Sequence, residues 1–208
     1  MNVLVACEYS ATVRDAFRAR GHNAWSVDLL PTDGDSSYHM QGSVLDLEML
    51  FALENIAIPE WDLLIAHPPC TYLAVSDLHW NKRQPEREQK TTLALEFIKW
   101  LWDLPIHKKC IENPVGCINS RLDFMPKPQY IQPYNFGEDA SKKTGLWLDN
   151  LPPLENTKYV EPRIVNGKPR WANQTNSGQN NLGPSADRWK IRSKTYQGIA
   201  DAMAEQWG

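Results

Sequence analysis

Leu63-Leu64-Ile65-Ala66 is apolar at every position and is stopped by His67-Pro68-Pro69. A half-exposed strand would alternate; this run has no wet face, so it reads as a strand covered on both sides, as in a parallel sheet flanked by helices. The prolines lack the N–H that a ladder needs and cannot extend it. They set Cys70 and Thr71 on a stiff turn at the strand's carboxyl end. In open α/β sheets ligands bind at that edge, so a thiol held there is placed for chemistry. The other reading is a buried, inert cysteine.

A second run, Cys110-Ile111-Glu112-Asn113-Pro114-Val115-Gly116, ends on a carboxylate forty-two positions after the thiol (112 − 70). Two strand ends carrying Cys70 and Glu112 look like a nucleophile and its acid partner. The remaining chain fits this arrangement. Residues 3–6 read as a strand, 10–20 as a helix closed by Gly21, and 23–27 as a second strand ending at Asp28, a βαβ start. An acid after the second strand suits the ribose hydroxyls of a nucleoside, and it equally suits a turn or helix cap.

Residues 33–41 read as a polar loop, 44–47 as a short third element, 47–55 as a helix and 62–66 as the fourth strand. Residues 71–88 show no clear period. Leu93, Ala94, Phe97, Ile98 and Leu101 then give a helix over 91–102 that returns the chain to a strand at 109–111. Alternating strands and helices make an α/β fold with a mostly parallel, doubly wound sheet. After Gly116 prolines punctuate the pattern, with a short strand at 129–132 and a turn-rich stretch at 173–185. Residues 118–190 are therefore an antiparallel extension of the sheet or a small substrate-recognition insert within a single 1–208 domain. A helix over 193–207 closes the chain, with Tyr196, Ile199, Ala200, Met203 and Trp207 on one face.

Composition narrows the class. A chain of 208 residues suits one α/β domain. No apolar stretch approaches bilayer length, and the amino terminus carries no basic leader, so a cytoplasmic location is expected. Cys7, Cys70, Cys110 and Cys117 form no Cys-x-x-Cys pair and no His stands at zinc spacing, so neither a disulfide framework nor a metal is expected. The net charge of −3 gives no global field for nucleic acid, although a local basic face can still meet phosphates.

In this order, the pieces resemble the DNA cytosine carbon-5 methyltransferase family over most of the chain. Pro68-Pro69-Cys70 is like its Pro-Cys nucleophile loop, and Glu112-Asn113-Pro114-Val115 like its Glu-Asn-Val motif. Residues 193–204, Ser-Lys-Thr-Tyr-Gln-Gly-Ile-Ala-Asp-Ala-Met-Ala, are similar to its closing helix. The resemblance implies a Rossmann-like methyltransferase fold and a minimal, phage-like member without a large recognition domain. Carbon-5 of cytosine is a poor nucleophile, so a thiolate, here Cys70, first adds at carbon-6. Glu112 then neutralises the ring at nitrogen 3 and the exocyclic amine, while Asn113 holds the turn. A base in DNA has to be flipped out to meet them.

The family's first motif is normally glycine-rich, and the matching Ala6-Cys7-Glu8-Tyr9-Ser10-Ala11 has no glycine. Tyr9 and Ser10 are expected to cap the helix beginning near Thr12, with Glu8 accepting from the donor's amino group. Asp28 and Asp46 match the ribose and adenine positions, and Pro68 completes the cofactor set. The donor implied is S-adenosylmethionine; methylenetetrahydrofolate, another one-carbon donor, is the alternative. Thr71, Gln132, Lys142 and Lys143 are the substrate-binding candidates. His67 replaces a small or apolar residue and either tunes the site or is a structural histidine. Two rivals stand beside DNA modification: an enzyme acting on a free pyrimidine nucleotide, and a silent nucleic-acid-binding relative.

Overall fold

The computed structural model describes residues 1–81 and 83–208, the side chain of Asp77 excepted. β1 (Asn2–Ala6), α1 (Thr12–Ala19), β2 (Asn23–Asp28), β3 (His39–Gln41) and α2 (Leu47–Leu53) form the first half. β4 (Leu63–Ala66), α3 (Val75–Leu78), α4 (Pro85–Asp103), β5 (Lys108–Pro114) and α5 (Ile118–Arg121) follow. The chain then adds β6 (Gln129–Ile131), β7 (Thr144–Asp149), the hairpin β8 (Arg163–Val165) and β9 (Lys168–Arg170), α6 (Arg188–Ser193) and α7 (Gln197–Trp207). Among the described residues no helix is long and apolar enough to cross a membrane.

Seven strands make one sheet in the order β3-β2-β1-β4-β5-β7-β6. The first four junctions are parallel, and β7 runs antiparallel between β5 and β6. This is a mostly parallel, doubly wound α/β sheet, the architecture expected from the alternation of strands and helices. Strand alternation divides the core. Val3, Val5, Leu63, Ile65 and Cys110 face Phe17 of α1 and Met203 and Trp207 of α7. Leu4, Ala6, Leu64, Ala66 and Ile111 face Phe51 of α2 and Leu95, Ile98 and Leu101 of α4. Both faces of β4 are sealed, which is why its run is apolar throughout.

Several elements differ from the sequence reading. The third strand is β3, inside the expected polar loop, and Val44–Asp46 is a 3-10 turn whose Leu45 N–H is held by Ser43 Oγ at 3.2 Å. Only Met40 of β3 is buried, so no alternation announces it. Helix α4 begins at Pro85, because a first-turn proline loses no hydrogen bond; its opening turns are mostly exposed and so show no period. Strand β5 runs on to Pro114, where β4 has already ended. Its last residues are carried by β7 through Glu112–Leu146, Asn113–Gly145 and Pro114–Thr144. Part of residues 118–190 thus extends the sheet as β6 and β7, and the rest forms α5, the β8–β9 hairpin, the start of α6 and the loops between them.

A candidate active site at the carboxyl edge of the sheet

Ala6 pairs with Val27 and with Ala66, and Ala66 with Ile111. The next residue of each strand is therefore Asp28, Cys7, His67 and Glu112, a row along the edge where helices leave toward opposite faces. The Cys7 N–H donates to Val27 O at 2.8 Å and the His67 N–H to Ala6 O at 2.9 Å, so the ladder continues one step into the loops. Open α/β sheets hold ligands at such a switch point.

Glu112 and His67 meet in this row, with Nδ1 3.1 Å from Oε2 and the two side chains 13% and 8% exposed. Burial pushes the Glu112 carboxyl upward. The His67 hydrogen bond, the Lys142 and His67 charges and the Thr144 hydroxyl outweigh it, holding the group below its usual range. One step further on, Asn113 Nδ2 donates to Pro68 O at 2.8 Å. Pro68 is buried, while Cys70 and Thr71 are exposed. The thiol's turn is closed by Leu73 and Ala74 N–H groups donating to Cys70 O at 3.0 and 2.9 Å. It is then fastened to the segment after Glu112 by Val75 N–H on Val115 O and Cys117 N–H on Leu73 O. Arg87 Nη2 donates to Thr71 O at 2.8 Å from α4. Cys70 and Glu112 thus belong to one hydrogen-bonded unit on neighbouring strands.

The first loop reaches the same edge by a different route. Cys7 and Ala11 take left-handed conformations, at φ 60° and 62°, so side-chain-bearing residues occupy the backbone region that glycine fills most easily. Burial, with the nearby Asp28 charge, pushes the Cys7 thiol up to about 12. Glu8 is buried, accepting from Val13 N–H at 2.7 Å and Arg14 N–H at 3.1 Å. It therefore caps α1 from four residues before Thr12 (12 − 8), the task expected of Tyr9 and Ser10. Ser10 supports it, donating to Glu8 Oε1 at 3.3 Å. Tyr9 is instead buried beneath α6, its hydroxyl donating to Lys190 O while Lys190 and Lys194 ammoniums lie over its ring. Burial raises both the Glu8 and the Asp28 carboxyls, against the pull of the His67 charge.

The other candidates scatter more widely. Asp28 accepts from Leu30 N–H at 2.9 Å and is half-buried, whereas Asp46 is exposed where the 3-10 turn passes into α2. Gln132 Oε1 receives the Lys142 N–H at 2.9 Å, fixing the backbone that brings the Lys142 charge to bear on Glu112. Lys143 is exposed, with its ammonium 4.4 Å from the Tyr130 ring at the outer sheet edge. Thr144 at the Glu112 carboxyl escaped the sequence reading, because only the β5–β7 register brings it there.

No family model matches the chain, and no curated protein matches it. Among solved structures it is similar to an E. coli prophage-encoded protein proposed to be a DNA modification methyltransferase, with a TM-score of 0.46 and 16% identity. The similarity covers 71% of this chain and 46% of that one, so this chain spans less than half of that protein's length.

Proposed function

We propose that the chain is a cytosine carbon-5 methyltransferase-like enzyme acting on DNA, with Cys70 as covalent nucleophile and Glu112 as the acid that engages the base. The observation that carries this reading is the pairing of an exposed thiol, on a proline-stiffened turn, with a mostly buried carboxyl on the neighbouring strand. Rigid presentation of both groups is what a two-point grip on one ring requires.

Cys70 Sγ adds to carbon-6, and the ring's displaced electron pair comes to rest on nitrogen 3, which takes a proton from Glu112. Carbon-5 becomes nucleophilic in the resulting enamine. Loss of the carbon-5 proton to solvent water, with elimination of the thiolate and return of the nitrogen-3 proton to Glu112, restores the ring. Asn113 holds the Pro68 carbonyl and with it the turn that presents the thiol. Lys142 and Lys143, with Thr71, are assigned to the phosphates of the flipped nucleotide, and Gln132 to holding the Lys142 backbone.

S-adenosylmethionine suits the residues at this edge and, when bound, supplies an electrophilic methyl group. Asp28 and Asp46 are assigned to its nucleoside, and Glu8, Tyr9, Ser10 and Pro68 to the wall beside its amino-acid part. Glu8 already fills the amino terminus of α1, where a phosphate-bearing cofactor would otherwise bind. The Glu112 carboxylate, held below its usual range, also favours a cationic sulfonium over an anionic folate.

The test uses the thiol step first. Incubation with cytosine-containing DNA in heavy water, without any donor, is expected to place deuterium at carbon-5, because reversible addition makes that carbon exchangeable. DNA carrying 5-fluorocytosine is then expected to become linked to Cys70 with S-adenosylmethionine and not with methylenetetrahydrofolate. Exchange confined to free deoxycytidine monophosphate would move the substrate to nucleotides. No exchange on either substrate, or exchange that persists in Cys70→Ala, would sink the proposal.

A further inference from the structure

His67 occupies an unusual position for a structural histidine. Its side chain is only 8% exposed and Nδ1 is committed to Glu112, yet Nε2 is buried with no hydrogen-bond partner among the described residues. Whichever protonation state the ring holds, that buried nitrogen has no complement among the described residues, and such a group costs free energy, so its retention calls for a task that the ring performs. The backbone that carries the ring is held in place, since the main-chain N–H of His67 donates to Ala6 O and the strand just before it lies between β1 and β5.

The charged neighbours come from every side. Glu112 approaches from β5, with the Lys142 charge acting on it from the segment before β7. Glu8 in the first loop and Asp28 at the end of β2 both feel the imidazole charge. Cys7 stands beside His67 in the row, and Cys70 follows three residues later on the same loop. One imidazole therefore links the carboxyl assigned to the base with two carboxyls on the first-loop side.

We propose that His67 is a positioning residue that aims the Glu112 carboxyl and restores its proton during the reaction, an inference that rests on the cytosine reading above. The proposed cycle starts with the shared proton on the imidazole, as imidazolium, and Glu112 as carboxylate. As the base docks, Nδ1 passes its proton to Glu112. When the Cys70 Sγ to carbon-6 bond forms, the electrons of the carbon-5 to carbon-6 π bond move to the carbon-4 to carbon-5 bond. Those of the carbon-4 to nitrogen-3 π bond move onto nitrogen 3, which takes the Glu112 proton. In heavy water without a donor, carbon-5 of the enamine takes a deuteron from solvent and loses its proton to solvent as the sulfur leaves as thiolate; nitrogen 3 then returns its proton to Glu112, and His67 recovers it. The thiolate and the imidazolium are both regenerated, so no outside acid is consumed. The Glu112 carboxyl, held below its usual range despite its burial, agrees with a carboxylate at rest.

The donor-free deuterium exchange assay tests this across pH, using wild type, His67→Asn, His67→Ala, Glu112→Gln and Cys70→Ala. Asparagine keeps a donor near the Nδ1 position and carries no transferable proton. The expected result is a fall in kcat of about tenfold or more in His67→Asn, with KM for DNA nearly unchanged. The wild-type loss of rate at high pH should be displaced or abolished in that variant. Thermal melts of His67→Asn and His67→Ala separate this effect from misfolding. A wild-type rate and pH profile in folded His67→Asn, with Glu112→Gln dead, overturns the role of His67 and leaves the cytosine reading intact. Exchange that is absent in wild type, or that survives Cys70→Ala and Glu112→Gln, overturns both.

Discussion

Asn113 Nδ2 donates to the Pro68 carbonyl at 2.8 Å, joining the strand that carries Glu112 to the loop that carries Cys70. Asn113 is 1% exposed, and its Oδ1 is buried without a partner among the described residues. Asn113→Asp keeps the shape and removes the donor, setting a carboxylate against a carbonyl. The expected loss is about 1–3 kcal/mol of stability in urea melts. Exchange activity is expected to fall about a hundredfold in protein that is still folded, because small misplacements of a reacting group are costly. Activity that falls only in step with the folded fraction would mean that this hydrogen bond does not aim the thiol.

Register explains which parts of this site could be read in advance. Leu63 pairs with Lys108, an offset of forty-five residues (108 − 63), and the same offset joins His67 to Glu112 and Pro68 to Asn113. Cys70 and Glu112 are recognisable as residues at strand ends, because β4 and β5 are marked by buried apolar runs. The His67–Glu112 contact depends on knowing that those two strands are neighbours and in what alignment, which a linear pattern does not carry. Strand β3 and the opening of α4 were hidden for a simpler reason: each buries too little to leave a period. The capping role of Glu8 was hidden because a carboxylate reached α1 from outside the usual cap position.

The Glu8 carboxyl gives a pH prediction with a definite sign. Burial raises it above its ordinary value of 4.5, so between that pH and the higher folded value the native state holds more proton than the unfolded chain. Stability contributed by Glu8 is full at acid pH and is lost as pH rises through the folded value. Glu8→Gln loses one of the two α1 caps at every pH and has nothing to ionise. In urea melts the deficit of Glu8→Gln relative to wild type should therefore shrink from pH 4 to pH 7. A deficit that grows over that range would mean that the charged form is the one favoured in the fold.

Cys7 and Ala11 supply a test of the glycine-free loop. Each lies in the left-handed region, which costs a residue with a side chain about 1–2 kcal/mol. Glycine relieves that cost and gives back part of it through greater freedom of the unfolded chain, about 0.4–1 kcal/mol. Cys7→Gly and Ala11→Gly should leave the melting temperature unchanged or raise it by a few degrees. Cys7→Val and Ala11→Val, with branching where φ is positive, should lower it by several degrees. Scanning calorimetry on the four variants decides the matter; equal losses for glycine and valine would show that side-chain packing, not backbone strain, governs the loop.

Tyr9 ties the same loop to the far end of the chain. Its hydroxyl donates to Lys190 O, and Asp33 adds ion pairs at 3.2 Å to Lys190 and 2.7 Å to Lys194. The Lys194 hydrogen bond leads the causes that hold the Asp33 carboxyl below its usual range. Those pairs are exposed enough to be screened, so the Tyr9 bond is the stronger anchor of α6. Tyr9→Phe keeps the buried ring and removes the anchor, at a cost of about 0.5–1.5 kcal/mol. Because α6 carries Arg188, Lys190 and Arg192 on a short, mostly exposed helix, its release should show first as trypsin cleavage between 188 and 194. Limited proteolysis followed by mass spectrometry is expected to find that cut several times faster in Tyr9→Phe than in wild type, with cleavage elsewhere unchanged. Uniformly faster cleavage would place the lost energy in global unfolding, and an unchanged pattern would assign the hold on α6 to the Asp33 pairs.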